Sequence, residues 1–148
     1  EAAGAAGMVG GQQYDIDAAD HTPDVVEVVR LHAMKTGALF RAAVVGGGVV
    51  GGGTPAEIAA LDQYGRAVGR AFQLTDDLLD LLEAGVEDGN GTGDEHEDAV
   101  NMAAHIGVET VREQAAQQVE LAFSSLDCFG VGGDVLRSIA GFIRDRQM

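Results

Sequence analysis

Apolar side chains recur every three or four residues along most of the chain, which is the spacing of amphipathic helices. The first long run of this pattern, VVEVVRLHAMKTGALFRAAVV, follows a start signal at Thr22-Pro23-Asp24 and stops at Gly46-Gly47-Gly48. A second run starts at Thr54-Pro55 and ends near Gly85. No segment keeps the polar-apolar alternation of a strand. The pattern therefore predicts an all-α fold.

The C-terminal part of the chain continues this helical pattern after one interruption. The segment at 85–98, GVEDGNGTGDEHED, predicts a loop because it is rich in glycine and acid with almost no apolar residue. We expect a short helix around 99–106, a longer one over 108–127, and a last one from Asp134 to about Arg146. In that last helix the apolar residues at helical spacing are Val135, Leu136, Ile139, Phe142 and Ile143.

Length and composition are those of one domain with a real core, since 46% of the 148 residues are hydrophobic. No apolar run approaches the roughly 20 residues of a membrane span, so we expect no stable membrane insertion. No basic and then apolar leader opens the chain, and the single cysteine, Cys128, excludes an internal disulfide. These features predict a cytoplasmic protein.

The charge balance is strongly acidic, at 9 − 24 = −15. Nucleic acids and anionic membranes are bound chiefly through Lys and Arg, so neither is an expected main partner. Only one basic residue is a lysine, Lys35. An acidic surface is instead compatible with the recruitment of cations.

Three aspartates interrupt an otherwise apolar stretch, FQLTDDLLD at 72–80. With Asp76 at zero on a helical projection, Asp80 falls at about 40°, Gln73 at about 60° and Asp77 at about 100°. The apolar residues cover the opposite arc. Such an arc of acids is compatible with a solvated face or with a site for a hard cation such as Mg²⁺, and the spacing alone does not separate these two interpretations.

Two earlier stretches also combine residue types that can carry chemistry. LHAMKTGALF at 31–40 places Lys35 and Thr36 one turn after His32, although a surface lysine covering apolar neighbours would look the same. GMVGGQQYD at 7–15 combines glycines, glutamines and an acid at or near the end of the first helix. Close helix packing would be a sufficient reason for those glycines.

Taken in order, the three stretches resemble the trans-isoprenyl diphosphate synthases, the polyprenyl synthetase family. The matching motifs are GGQxxD at 10–15, HxxKTGxLF at 32–40 and FQxxDDxxD at 72–80. The resemblance implies a bundle of long helices around a deep cavity, the isoprenoid synthase-type fold. It also implies that this chain corresponds to about the C-terminal half of a larger synthase domain.

The resemblance implies a prenyltransferase that condenses isopentenyl diphosphate with an allylic diphosphate to make linear isoprenyl diphosphates. It assigns Mg²⁺ as cofactor, and Asp76, Asp77 and Asp80 as its ligands together with the diphosphate. Lys35 would contact the allylic diphosphate, and Thr36 and Gln73 would lie beside the reacting carbon. Gln12 and Asp15 would support the side of the cavity that Thr36 and Gln73 form. Such synthases are commonly homodimers, so the expected partner is a second copy or a chain carrying the missing N-terminal half.

Three features depart from the family pattern. The chain contains no earlier DDxxD motif, and two lysines expected after the acidic motif are replaced, one by Asn90 and one within Ala99-Val100-Asn101. The alternative function is therefore a non-catalytic helical subunit, or degenerate homologue, that pairs with a complete synthase. The run from Asp88 to Asp94 resembles part of an EF-hand, but Ala99 stands where a bidentate Glu is required, so a mobile acidic flap is the preferred interpretation.

Overall fold

The computed structural model describes residues 1–18, 21–83 and 95–146, and those residues contain helices and turns without any strand. This confirms the all-α prediction. The described ranges contain eight α-helices. A π-helical turn at Ala33–Gly37 lies between the second and third, and a 3₁₀ segment at Asp127–Gly133 precedes the last. The α-helices are α1 Met8–Asp17, α2 Val25–His32, α3 Ala38–Val50, α4 Pro55–Glu83, α5 Glu95–Val100, α6 Met102–Ile106, α7 Val108–Ser125 and α8 Asp134–Asp145.

Helices α2 and α3 run on from one another through the π turn, so that Val25–Val50 is one continuous helical segment. Its N-cap is Asp24, which exchanges hydrogen bonds with Glu27, whereas the sequence pattern places the cap at Thr22. The predicted stop at Gly46 is wrong, because α3 continues through the glycines to Val50 and ends at Gly51. Three helical glycines cost stability, yet the backbone hydrogen bonds continue through them.

By length and composition, Val25–Val50 is also the one helix in the described ranges that is long and apolar enough to cross a membrane. The sequence pattern alone shows no such run. Helices of this kind also occur inside proteins that never meet a lipid bilayer, and this one packs along α4. The absence of stable membrane insertion therefore stays a prediction.

Helix α4 is the central element of the fold. Thr54 and Glu57 form reciprocal hydrogen bonds at its start, in agreement with the Thr54-Pro55 start signal. It packs against α7, α8 and α3. The residues of α4 that fill the two core clusters are Leu61, Tyr64, Ala67, Val68, Ala71, Leu74, Leu78 and Leu81.

Glycines allow the helices around the site to approach closely. A Cβ on Gly69 would lie 3.0 Å from Gly37 Cα, and one on Gly11 would lie 2.3 Å from the backbone nitrogen of Lys35. The close-packing interpretation of the glycines in GGQ therefore agrees with the structure at Gly11. These contacts bring α1, the π turn and the middle of α4 together.

The segment after α4 differs from the prediction. Residues 84–94, which include the predicted acidic flap and the EF-hand-like run from Asp88 to Asp94, lie outside the described residues. Within the described part, Glu95–Val100 is helical although the sequence predicts a loop as far as Asp98, and Asn101 separates this helix from α6. Asn101 is extended and caps α6 by accepting from the amides of Ala103 and Ala104. An N-cap residue within 99–106 divides the predicted single helix in two.

Helix α8 begins and ends close to its predicted bounds, but only part of its apolar stripe is covered. Ile143 is buried and Leu136 packs against the core around Tyr64, whose hydroxyl donates to the Leu136 carbonyl at 2.7 Å. Val135 and Phe142 are 73% and 69% exposed. An apolar face of this kind is left without a packing partner among the described residues.

Candidate active site

The third and second sequence motifs meet at Thr36 and Gln73. The Thr36 hydroxyl donates to Gln73 Oε1 at 2.9 Å, and both side chains are partly buried. The π turn carries Thr36 toward α4, and the Gly37–Gly69 contact sets the distance between the two helices. The structure thus brings together the two residues that the resemblance places beside the reacting carbon.

Lys35 faces a different neighbour, because successive helical residues point about 100° apart. Its Nζ donates to Asp15 Oδ2 at 2.6 Å, and Gln12 Nε2 donates to the same oxygen at 3.4 Å. Asp15 is nearly buried, whereas the Lys35 side chain is 37% exposed. Asp15 of the GGQxxD motif therefore holds the ammonium group of Lys35 in the HxxKTGxLF motif. Lys35 is the only lysine in the sequence.

Asp76, Asp77 and Asp80 differ in exposure and in the residues that they contact. Asp76 is partly exposed, and its Oδ1 lies 3.7 Å from the guanidinium of Arg146 at the end of α8. That guanidinium also lies over the Phe72 ring. Asp80 is exposed, whereas Asp77 is only 3% exposed and points between α4 and α6. Asp77, which the projection places next to the apolar arc, is therefore buried, whereas Asp76 and Asp80 are accessible to solvent.

The buried Asp77 carboxylate is held by donors. It accepts from the Met102 amide at 2.9 Å and from Gln73 Nε2 at 3.1 Å. Burial raises the pKa of this carboxyl to about 7, while those two hydrogen bonds act in the opposite direction. The nearby Asp80 and Asp76 charges raise the pKa further.

Two further buried polar residues, His32 and Asn101, complete this contact between α2, α4 and α6. His32 Nε2 bonds to the Val100 carbonyl at 3.1 Å, and Asn101 Nδ2 donates to the Asp77 carbonyl at 2.9 Å. Burial lowers the pKa of His32 to about 4, so its ring is neutral at pH 7. Sequence reasoning assigned no role to either residue, although an Asn before a helical run is an N-cap signal.

Arg146 was also missed, since its contact with Asp76 joins residues far apart in sequence. Three more arginines, Arg41, Arg66 and Arg70, line a cavity of about 320 Å³ between Val25–Val50 and α4, which Gln73 also lines. Arg41 and Arg66 both bond to Asp62, and Arg70 donates to Gln114 at 3.1 Å. Arginine side chains therefore line the same cavity as Gln73, although the chain as a whole is acidic.

Asp76 and Asp80 fit the donor chemistry of a magnesium site better than Asp77 does. No group of three or more His, Cys, Asp or Glu side chains in the described ranges converges as a ready metal cage. Mg²⁺ commonly uses one or two carboxylates with waters and phosphate oxygens, so Asp76 and Asp80 on one strip of α4 would be the residues to hold it. Asp77 differs from them because its carboxylate is buried and each of its oxygens accepts a hydrogen bond from inside the protein.

Comparison with known proteins agrees with this architecture. Solved structures of isoprenyl diphosphate synthases have the same fold. One of them, an FPP/GFPP synthase from Zymomonas mobilis, superposes with a TM-score of 0.81 at 36% identity over 96% of this chain and 47% of that chain. These neighbours define the class: an all-α bundle of the isoprenyl diphosphate synthase type.

The sequence comparison is consistent with that class. The Polyprenyl synthetase family model matches residues 3–125, and the chain belongs to that family. Geranylgeranyl pyrophosphate synthase 11 of Arabidopsis thaliana is 40% identical over 119 residues, which are 78% of this chain and 33% of that protein. Farnesyl diphosphate synthase of Escherichia coli is 39% identical over 129 residues, 84% of this chain and 42% of that protein. The chain thus spans less than half the length of these relatives.

Proposed function

We propose that this chain is the part of a Mg²⁺-dependent prenyltransferase that contains the FQxxDDxxD motif. The enzyme condenses isopentenyl diphosphate with an allylic diphosphate. The observation that carries the proposal is the Thr36–Gln73 hydrogen bond, flanked by Lys35 on one side and Asp76 on the other in sequence. The names of the relatives, farnesyl and geranylgeranyl diphosphate synthases, support the same class of substrate.

The proposed reaction begins when the allylic C–O bond breaks and its electron pair leaves with the diphosphate. The double bond of isopentenyl diphosphate then attacks the resulting cationic carbon, and loss of a proton completes the new allylic chain. Asp76 and Asp80 would hold the Mg²⁺ that neutralises the departing diphosphate. No covalent nucleophile of the protein is needed, so the protein acts by positioning and electrostatics.

The geometry gives each side chain a distinct task. Because the Thr36 proton is donated to Gln73, the lone pairs of the Thr36 oxygen remain available to face a positive carbon. Lys35 uses one of its three N–H bonds on Asp15, which leaves two for a diphosphate oxygen. Arg146 lies beside Asp76 and can add a cation there, in a sequence where Ala99 and Asn90 stand at the positions of two expected lysines.

The test is an assay of the complete protein with Mg²⁺, isopentenyl diphosphate and an allylic diphosphate, followed by pyrophosphate release and by mass spectrometry of the product. Asp76→Asn should raise the Mg²⁺ concentration needed for half-maximal rate and lower kcat by about a hundredfold or more. Glu109→Gln is the matched control, since Glu109 is exposed on α7 and pairs with Arg112. Unchanged turnover in Asp76→Asn would remove the proposed role.

A second candidate is the non-catalytic subunit, which Ala99 and Asn90 in place of the expected lysines favour. In that case the complete protein forms no product alone, binds a complete synthase, and changes its rate or product length. Copurification with a coexpressed synthase from the same cell, followed by the same product assay, distinguishes the two candidates.

A further inference from the structure

Asp77 lies between α6 and the hydrogen-bonded pair of Thr36 and Gln73, which the proposed function places beside the reacting carbon. Its two carboxylate oxygens have different partners: Oδ1 accepts from Gln73 Nε2 at 3.1 Å, and Oδ2 accepts from the Met102 amide at 2.9 Å. The side chain is buried and 3% exposed. Neither oxygen is directed at solvent, where Asp80 lies, or at Arg146, where Asp76 lies.

The bond to Asp77 determines which way the Gln73 amide points. Gln73 Nε2 donates to Asp77 Oδ1. In its ionised form the Asp77 carboxylate only accepts hydrogen bonds, so that form selects the NH₂ end of Gln73. The carbonyl end must then point away from Asp77, and that end is where the Thr36 hydroxyl donates. A reversed amide would present two N–H donors to Thr36 instead of an oxygen. The direction of the Gln73 amide thus decides whether its partly negative oxygen or its partly positive N–H groups face Thr36.

The position of Asp77 is itself determined from the other side by α6. Asn101 Nδ2 donates to the Asp77 carbonyl at 2.9 Å, and Asn101 Oδ1 caps α6 at the Ala103 amide at 2.8 Å. His32 holds the preceding carbonyl, that of Val100. Because all these groups are buried, their hydrogen bonds must be satisfied internally, and the arrangement resists rearrangement.

We propose that Asp77 is a positioning residue that orients the Gln73 amide from its anchor on α6, and that it is not a ligand of Mg²⁺. Its effect on the reaction rests on the prenyltransferase function proposed above. On this proposal Asp76 and Asp80 are the ligands of Mg²⁺, and Asp77, which lies between them in the sequence, instead orients Gln73.

The conservative substitution Asp77→Asn separates the two roles. The Met102 amide still needs an acceptor, so the new Asn oxygen takes that place and its NH₂ group faces Gln73. Gln73 must then reverse its amide and direct N–H groups at Thr36. In the complete protein we expect kcat to fall by roughly ten- to a hundredfold, because a dipole opposed to the developing charge replaces a favourable one.

The magnesium requirement provides the comparison with a metal role. We expect the half-saturating Mg²⁺ concentration and the KM of the allylic diphosphate to stay within roughly twofold in Asp77→Asn, whereas both rise in Asp76→Asn. An increase in Asp77→Asn that matches the one in Asp76→Asn would overturn the proposal. Unchanged kcat would also overturn it.

A double substitution tests the orientation directly. In Gln73→Glu combined with Asp77→Asn, the carboxylate introduced on α4 accepts from both the Thr36 hydroxyl and the new amide, and the total charge equals that of the wild type. We expect this double variant to recover at least about tenfold of the kcat lost in Asp77→Asn. Activity no better than that of Asp77→Asn would contradict the orienting role.

Nuclear magnetic resonance of the complete protein with ¹⁵N-labelled glutamine reads the amide direction without any turnover. A strong Overhauser contact between the Gln73 NH₂ protons and the Thr36 side chain should be absent in the wild type and present in Asp77→Asn. If the contact is already present in the wild type, the proposal fails even where the variant does not fold. An inactive wild type with the expected amide direction would instead count against the prenyltransferase function alone.

Discussion

Burial separates side chains that the sequence places next to each other. Asp76 and Asp77 are adjacent, yet one is partly exposed beside Arg146 and the other is enclosed between α4 and α6. Their carboxyl groups therefore have different chemistry, and desolvation is the largest cause of the raised pKa of Asp77. At the residue scale, environment decides function more than residue type does.

His32 provides a test of this effect through the pH dependence of stability. Burial lowers the pKa of His32 in the folded chain to about 4, below the ordinary value of 6.5. As the pH falls from 6.5 to 4, His32 therefore takes up a proton in the unfolded chain before it does so in the folded chain. The contribution of His32 to stability is therefore present above pH 6.5 and is lost as the pH falls toward 4. The full loss is about 3 kcal/mol.

The corresponding variant is His32→Gln, which keeps a donor for the Val100 carbonyl but does not titrate. We expect the unfolding free energy of the variant minus that of the wild type to increase by up to about 3 kcal/mol as the pH falls through the range between the two pKa values. Denaturant unfolding across that range measures it. Parallel pH profiles for the two proteins would contradict the assignment.

At the scale of elements, glycines have two unlike roles in this fold. Gly11 lets α1 contact the backbone of Lys35, so a methyl group there would overlap backbone atoms at 2.3 and 2.6 Å. Gly46 lies in α3 and has no heavy atom within 4 Å of an added Cβ. The first glycine is needed for packing, and the second only weakens its helix.

Alanine substitution should therefore have opposite effects at the two positions. We expect Gly11→Ala to lower the unfolding free energy by roughly 1–3 kcal/mol, because α1 must move away from the π turn. Gly46→Ala should raise it by up to about 1 kcal/mol through helix propensity. Equilibrium unfolding of the two variants checks both signs.

The Gly11 variant also has a functional consequence if the proposed activity is correct. Movement of α1 displaces Asp15 from Lys35, so the KM of the allylic diphosphate should rise in Gly11→Ala and stay unchanged in Gly46→Ala. Equal KM values in the two variants would show that α1 does not position Lys35.

At the scale of the whole molecule, apolar surface is left over. On α8 and the turn before it, Val131, Val135 and Phe142 are 87%, 73% and 69% exposed. The solved relative from Zymomonas mobilis contains this fold in 47% of its chain. The resemblance implies that this chain is part of a larger synthase domain, and on that expectation the rest of the domain would pack on this α8 face.

Phe142→Glu tests this docking face. We expect the complete protein to lose about 2 kcal/mol of stability, since a large apolar side chain would no longer be buried. Gln117→Glu, on the exposed side of α7, adds the same charge away from the α8 face and should change stability by less than about 0.5 kcal/mol. Equal effects of the two substitutions would show that Phe142 faces solvent in the complete protein as well.

Local rules were sufficient for much of the helical architecture. The starts of α4 and α8 and the extents of α7 and α8 follow from capping signals and apolar periodicity. The same rules were wrong at Gly46, where tertiary context carries the helix onward, and at Asn101, where an N-cap divides a predicted helix. Mg²⁺ binding, a cytoplasmic location and a homodimer stay predictions.

The sequence by itself determined which residue types are available and that Thr36 and Gln73 belong to separate helical segments, because motif spacing and helical periodicity are local properties. Only the tertiary structure decided that Asp77 turns inward to Gln73 and Met102, that Lys35 pairs with Asp15, and that Arg146 reaches Asp76. The physical reason is that burial, hydrogen-bond partners and charge pairs join residues distant in sequence, and no periodicity encodes which of them will meet.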